Sequence, residues 1–271
     1  MSPILILGSR LWVRLVLRSP PKADEGGFPF PAQKMRKPFL SVIVPLYNEE
    51  SRIHHLENIY RYLKTQNFKS ELIAVNDGSI DQTKTLMVKF SRHFPLKIIS
   101  YTKNQGKGYA VRKGMLVAKG KYLIFTDIDL SVPIIQIKQF LKYVQKNPIV
   151  IGSRNVKGAL VKNNQPWLRQ FFGNFYIFIS NLLFGLNFSD YTCGFKLFSN
   201  KAGKDIFRQC RTKGWAFDTE IMVLAKRLGF YPKEVPVIWQ HHPLTKVVLP
   251  KDIFRTALEL GKIKIRFWSN L

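Results

Sequence analysis

Two kinds of residue are scarce in this sequence. It has only two cysteines, Cys193 and Cys210, in 271 residues. That is too few for a disulfide framework, so a reducing compartment is expected. Acidic residues are also thin: 17 Asp and Glu stand against 43 Lys and Arg, for a net charge of +26. The imbalance favours an anionic partner, whether nucleic acid, an anionic membrane surface or a phosphorylated substrate, and does not choose among them. No Walker-A loop, G-x-G-x-x-G, H-E-x-x-H or zinc-spaced cysteine cluster is present, which sets aside the chemistries those motifs serve. There is no internal repeat and no low-complexity tract. With 46% hydrophobic and 22% charged residues, the chain is neither disordered nor a polytopic membrane protein. Its length suits one large domain or two small ones.

Two apolar segments bear on membranes. Residues 4–17 carry Arg10 and Arg14 inside fourteen residues, too short and too charged to span a bilayer, and no convincing small-residue cleavage site follows. Residues 18–38 are rich in Pro, Gly and charge and read as a linker. Residues 1–38 are therefore expected to be an N-terminal extension and linker; the folded domain is expected to begin near Met35, with residues 1–34 a surface anchor or a mis-assigned start. The second segment, Gln170–Ser189, has twenty residues without a charge. Asn174 and Asn181 share one helical face, and Phe171, Phe175, Phe178, Leu182 and Leu186 another. The pattern suits a helix lying in the membrane interface or one buried against a core; a membrane crossing is the third possibility. A basic amphipathic helix is expected over 246–271.

The rest alternates strands with helices. Strands are expected at Phe39–Leu46, Glu71–Asn76, Leu96–Tyr101, Lys121–Thr126 and Ile149–Gly152. Helices are expected at Glu49–Gln66, Gln82–Phe94, Gly108–Ala118 and near Ile135–Gln145. This order implies an α/β, doubly wound, mostly parallel sheet with ligands at the carboxyl ends of the strands. Acidic clusters fall at three of those ends: Tyr47-Asn48-Glu49, Asp77-Gly78-Ser79-Ile80-Asp81 and Asp127-Ile128-Asp129. Ser79 or Asp81 could instead cap the following helix. Asp-x-Asp after a buried strand offers two hard oxygen ligands suited to Mg²⁺ or Mn²⁺, which bridge to substrate phosphates. Asn104-Gln105-Gly106-Lys107-Gly108 makes a tight turn into a helix N-terminus and either approaches a phosphate or is an ordinary loop. His241-His242 reads as a solvated loop.

These residues resemble a known family. S-V-I-V-P-L-Y-N-E-E at 41–50, V-N-D-G-S-I-D at 75–81, N-Q-G-K-G at 104–108 and T-D-I-D-L-S at 126–131 resemble inverting family 2 glycosyltransferases with the GT-A fold. G-S-R at 152–154, D-Y-T-C-G-F-K-L-F at 190–198 and W-A-F-D-T-E at 215–220 are similar to polyprenyl-phosphate glycosyltransferases, with the dolichyl-phosphate β-glucosyltransferase branch nearest. The resemblance covers about 39–245. It implies a nucleotide-sugar pocket lined by Pro45, Tyr47, Glu49, Asp77, Asp81, Lys107, Asp127 and Ile128, with Asp77 contacting the base. It implies a divalent ion on Asp127 and Asp129, and catalytic roles for Asp129, Arg154 and Arg169. Arg154 would reach the donor diphosphate or the acceptor phosphate, and Arg169 and Lys196 the acceptor phosphate. Ile128 departs from the Ala more usual there. Asp218 and Glu220 could cap or pair on a helix, and Arg154 or Arg169 could be a structural ion pair.

The implied reaction needs no strong general base, because the nucleophile is a phosphate oxygen already ionised at pH 7. It needs positive charge to gather two anionic substrates and a metal on the leaving group. The implied partners are a nucleoside-diphosphate sugar (UDP-glucose first), a polyprenyl phosphate and an anionic membrane surface at the cytoplasmic face, the basic excess holding the protein on headgroups. A family 2 enzyme acting on a soluble glycan or protein is the competing reading, against which stands the charge-free stretch followed by C-G-F-K. A nucleic-acid-binding module is disfavoured because the lysines are scattered and no recognised binding motif accompanies them. A decayed, non-catalytic scaffold sits poorly with intact acidic clusters.

Overall fold

A computed structural model describes residues 37–162, 166–241 and 249–268. The expected extension, up to residue 36, lies outside the described residues, as does His242. Nine strands and eight α-helices are present among the described residues. The first half runs β1 (Leu40–Leu46), α1 (His55–Lys64), β2 (Ser70–Asp77), α2 (Thr83–Ser91), β3 (Lys97–Tyr101), α3 (Lys107–Val117), β4 (Tyr122–Thr126), α4 (Ile137–Tyr143) and β5 (Ile149–Ser153). It continues through β6 (Leu160–Lys162), α5 (Trp167–Phe184), β7 (Phe195–Ser199), α6 (Asn200–Gln209), α7 (Phe217–Arg227), β8 (Lys233–Pro236), β9 (Ile238–Gln240) and α8 (Leu249–Trp268).

Seven strands form one sheet in the order β3-β2-β1-β4-β7-β5-β8. All neighbours are parallel except β7, which runs antiparallel to both β4 and β5. β6 and β9 make a separate parallel pair. β1 and β4 are apolar and buried along almost their whole length, as strands covered on both faces must be. After β1 the chain steps outward to β2 and β3, then returns to the other side of β1 as β4. The order therefore reverses between β1 and β4, and a crevice opens at their carboxyl ends. Glu49 and Asp127 both emerge there.

Two expected helices are shorter than the pattern suggested. Residues 50–52 form a separate 3-10 turn and α1 starts only at His55. The intervening backbone is held by the β2 loop, with the Glu49 N–H donating to Thr83 Oγ1 at 2.7 Å and that of Glu50 to Asp81 Oδ2 at 3.2 Å. Likewise Ile134–Gln136 is a 3-10 turn ahead of α4. The charge-free segment is the helix α5, which stops at Gly185, a left-handed residue at φ 58°. Leu186 thus lies beyond the helix and is buried, not on its apolar stripe. No helix among the described residues is long and apolar enough to cross a membrane.

α5 has two apolar faces. Ile177 and Ser180 are buried against the core, and the Tyr176 hydroxyl hydrogen-bonds Thr219 on α7. On the other side Trp167, Phe171, Phe175, Phe178 and Leu182 are exposed, Trp167 at 73% and Leu182 at 70%. α8 packs beside α5, with Lys264 Nζ donating to the Leu183 carbonyl at 2.6 Å. It too carries exposed apolar residues, Phe254, Leu258 and Ile265.

Candidate active site

The loops after β1 and β2 are laced together. Asn48 adopts φ 52°, a left-handed conformation that Asn tolerates better than most residues. Its N–H donates to Ser79 Oγ at 3.0 Å, and its Oδ1 accepts the Ile80 N–H at 2.9 Å. Asp81 takes the Thr83 N–H at 3.0 Å at the start of α2, so it caps that helix while tethering Glu50. The Glu49 carboxylate is held by Arg52 Nε at 2.6 Å. Pro45 and Tyr47 line the same strand end, half-buried.

Asp77, at the end of β2, grips the Asn104–Gly108 turn. Its carboxylate accepts the N–H groups of Gln105 at 2.8 Å and Gly106 at 2.9 Å, and Asn104 Nδ2 at 3.0 Å. Gly106 has φ 103°, and a Cβ there would lie 2.4 Å from the Lys213 carbonyl oxygen, so glycine is required on two counts. The turn delivers Lys107 to the first residue of α3.

Lys107 reaches the Asp-x-Asp segment after β4, its Nζ 2.7 Å from Asp127 Oδ1 and 3.0 Å from Oδ2. Burial pulls the Lys107 pKa down, but Asp127 and then Asp218 outweigh it, and the ammonium is held above its ordinary value. Asp129 Oδ1 accepts the Ser131 N–H at 2.9 Å, while its second oxygen has no donor among the described residues. Ile128 between them is 3% exposed: its side chain packs in the core, and its carbonyl meets His55 Nδ1 at 2.7 Å. Of Ile128, expected in the sugar pocket, the backbone rather than the side chain is thus presented at this strand end.

Lys196 also departs from expectation. It is 0% exposed, with Nζ donating to Asp218 Oδ1 at 2.6 Å and to the Cys193 carbonyl at 2.7 Å, beside the Phe125 ring. A phosphate would have to displace Asp218 or that carbonyl to meet it. Lys196 compensates a buried carboxylate in this arrangement. Asp218 itself is raised by burial, with Lys196 and Lys107 pulling against that.

Arg154 is a bidentate partner of Asp190: Nε donates to Oδ2 at 2.6 Å, Nη2 to Oδ1 at 3.0 Å, and Nη2 also to Thr192 Oγ1 at 2.6 Å. Burial would raise Asp190, but Arg154 more than reverses it and the carboxyl is held below its usual range. The ion-pair alternative for Arg154 is what the geometry shows, and the pair fastens the G-S-R strand end to the start of the C-G-F-K segment.

Arg169, in the first turn of α5, is different. It is half-buried, and no carboxylate among the described residues forms an ion pair with it. Burial and then the charge of Arg154 lower its pKa, while Asp129 partly offsets them. A half-buried guanidinium without a carboxylate partner among the described residues keeps donors suited to an anion.

Asp190, Gly194 and Glu259 carry no role in the sequence pattern, and Asp218 reads there only as a helix cap or pair. Asp190, Gly194 and Asp218 sit in the D-Y-T-C-G-F-K-L-F and W-A-F-D-T-E motifs. Glu259, on α8, accepts the Ala216 N–H at 3.0 Å and gives no local signal. Glu220 pairs with Arg266 and accepts the N–H groups of Arg211 and Thr212. Both cysteines are free and buried, and burial pushes Cys193 up to about 12, an inert thiol. His241 stacks on Trp239, ring centroids 5.9 Å apart.

A doubly wound sheet with its acidic residues at the carboxyl end of the strand-order reversal is the GT-A architecture, and this is a glycosyltransferase. The chain belongs to Glycosyl transferase family 2, whose profile matches residues 41–207. It is 31% identical over 267 residues to dolichyl-phosphate beta-glucosyltransferase ALG5C of Trichomonas vaginalis, covering 90% of this chain and 79% of that one. The dolichyl-phosphate beta-glucosyltransferase of Saccharomyces cerevisiae is 32% identical, over 84% of this chain and 75% of its own. Among solved structures, glucosyl-3-phosphoglycerate synthase from Mycobacterium tuberculosis with Mn²⁺, UDP and phosphoglyceric acid superposes with TM-score 0.62 at 16% identity, covering 84% of this chain and 78% of that one.

Proposed function

We propose that this enzyme transfers one glucose, with inversion, from UDP-glucose to a dolichyl or other polyprenyl phosphate at the cytoplasmic membrane face. The observation that carries the reading is the position of Arg169. Its half-buried guanidinium, without an ion-pair partner among the described residues, sits in the first turn of the helix whose outer side exposes an apolar face. An acceptor with a phosphate head and an isoprenoid tail matches both features. The relatives named for dolichyl phosphate and the neighbour solved with UDP support the two substrates.

Asp127 and Asp129 fit a divalent ion. Two carboxylates with one free oxygen suffice for Mg²⁺ or Mn²⁺, which keep several waters and take substrate phosphates as further ligands. When bound, the ion supplies charge neutralisation for the leaving diphosphate. Lys107, already on Asp127, lies where it can follow that charge onto the diphosphate. Asp77 and Gly106 shape the loop that presents Lys107. Arg169 orients the acceptor phosphate, whose ionised oxygen attacks the anomeric carbon on the face opposite the leaving group. Arg154, fixed by Asp190, adds positive potential behind Arg169. α5, inside the catalytic domain of residues 39–245, and α8, which follows that domain, rest on the bilayer as interfacial helices and keep the acceptor tail in lipid.

The test is transfer of radiolabel to the organic phase from UDP-glucose, GDP-mannose or UDP-N-acetylglucosamine, with dolichyl phosphate, with and without a chelator. Chelator-sensitive label from UDP-glucose alone is expected. Label from another donor overturns the sugar assignment, and nucleotide binding without any organic-phase label overturns the lipid acceptor.

A further inference from the structure

At the far end of α7 from Asp218 lies a second positively charged feature. Arg208, Arg211, Arg227 and Arg266 surround a hollow of about 470 Å³ whose floor includes Leu224 and Phe267. Nine residues of helix separate Asp218 from Arg227, about 13 Å along the axis, so the hollow is distinct from the active site. Two of the four cations are held in place: Arg266 by Glu220, and Arg227 with its guanidinium 5.0 Å from the Phe267 ring centroid. Asp205, 3.5 Å from Arg208, is shared with Lys201 at 2.7 Å. Arg211 and Arg227 have no carboxylate partner among the described residues.

Helix-end electrostatics accounts for part of this, since Arg208 and Arg227 lie in the last turns of α6 and α7, where cations are favoured. It does not account for Arg211, which follows α6 in a loop, or for Arg266, which comes from α8. Guanidinium groups converging from three helices and a loop, two of them unneutralised, match a tetrahedral oxyanion bearing several acceptor oxygens.

The setting narrows the ligand. On α8, Phe254, Leu258 and Ile265 fall within about 40° of one another around the helix and are exposed. Arg266 and Phe267 follow Ile265 directly. A helix lying with that stripe in the acyl boundary carries Arg266, about 100° round from the stripe, on its flank at headgroup level, where anionic lipids concentrate. We infer that the Arg208–Arg211–Arg227–Arg266 hollow is a binding site for the phosphate headgroup of an anionic membrane lipid, separate from the acceptor site. The inference rests on the membrane reading of α5 and α8.

The experiment is vesicle co-flotation of the full chain. Phosphatidylcholine vesicles doped with phosphatidic acid are compared with vesicles of matched surface charge doped with phosphatidylserine. The double variant Arg211→Gln/Arg227→Gln is set against Lys138→Gln/Lys142→Gln, which removes the same charge from exposed positions on α4. The wild type and the α4 variant should prefer phosphatidic acid, and the pocket variant should lose that preference by about tenfold. Both double variants should keep detergent-assayed transfer, which shows them folded. Equal behaviour of the two variants means diffuse attraction and overturns the site. Failure of the wild type to float on any vesicle overturns the membrane reading instead. Titration with soluble short-chain phosphatidic acid then decides the site alone: wild-type binding lost in the pocket variant upholds it, and equal binding by both refutes it.

Discussion

A Cβ on Gly194 would stand 2.0 Å from Asp127 Oδ2, so the glycine of the C-G-F-K segment is what lets β7 enter the sheet beneath the Asp-x-Asp turn. The contact explains why two motifs far apart in sequence serve one site. Gly194→Ala must turn the Asp127 carboxylate away from Lys107, while the β7 ladder, which begins at Phe195, is untouched. The expected result is a loss of kcat on the order of 100-fold with little change in melting temperature, because misplacing one charged group near the reacting centre has that scale of effect. Steady-state kinetics at saturating donor beside a thermal melt checks it, and an unaltered kcat would show that Asp127 has room to spare.

Asp129→Asn tests the other half of the turn. Its carboxylate accepts one N–H, from Ser131, which an amide oxygen can still accept. The fold should survive while transfer falls by roughly 100- to 1000-fold, the scale seen when preorganised charge stabilisation is lost. Calorimetric titration with UDP should lose its Mn²⁺ dependence. Retained, metal-dependent binding would remove Asp129 from the ligand set.

Lys196 and Asp218 give a prediction in pH. Lys196→Met strands a buried carboxylate and should destabilise the protein by about 3–5 kcal/mol at neutral pH. Burial raises Asp218 and Lys196 is the largest influence opposing it, so its removal raises the carboxyl further. The folded variant then holds a proton that an unfolded Asp releases above about pH 4. The contribution is intact at low pH and lost as pH rises, so the melting gap between variant and wild type should widen from pH 5 to pH 8. A gap that narrows over that range would mean that Asp218 is not the group left unpaired.

Legibility in the sequence followed the range of the interactions. β1, β2 and β4 read clearly because strands buried on both faces are continuous apolar runs, and the acidic residues closing them marked the crevice. β7 has similar composition but contains Lys196, whose burial depends on Asp218, 22 residues further on. Arg154 read as a substrate ligand because its partner Asp190 is 36 residues away. The Glu259 contact to Ala216 spans 43 residues and has no local signature. In each case a charged residue was visible in the sequence and its partner, distant along the chain, was not. Arg169, which has no such partner among the described residues, keeps the role first read for it as a proposal.

Arg169→Ala should therefore separate the substrates. A charge-assisted contact to phosphate is worth roughly 1.5–3 kcal/mol, so the apparent KM for dolichyl phosphate should rise about 10- to 100-fold. The UDP affinity should change little, since among the described residues Arg169 makes no hydrogen bond or ion pair with the Asn104–Gly108 turn. Arg169→Lys should restore part of the acceptor affinity through its charge, without the planar fork. Equal losses for both substrates would place Arg169 on the shared diphosphate instead.

The exposed face of α5 is the remaining handle on the membrane. Phe171 and Phe178 are 58% and 61% exposed, while the opposite face is anchored by Ile177, Ser180 and the bond from Lys264 to the Leu183 carbonyl. Replacing both with Ser should leave the fold intact, because neither ring contributes to the buried core. Full burial of a Phe side chain is worth about 1.5–3 kcal/mol, and these rings are already partly covered. The pair should still weaken partitioning onto neutral phosphatidylcholine vesicles by roughly 30-fold or more. Transfer to detergent-dispersed dolichyl phosphate should persist, since both rings lie on the exposed side of α5. Co-flotation and the detergent assay together separate the possibilities. Unchanged flotation would mean that α5 does not contact the bilayer, whereas a parallel loss in detergent would mean that these rings hold the acceptor chain itself.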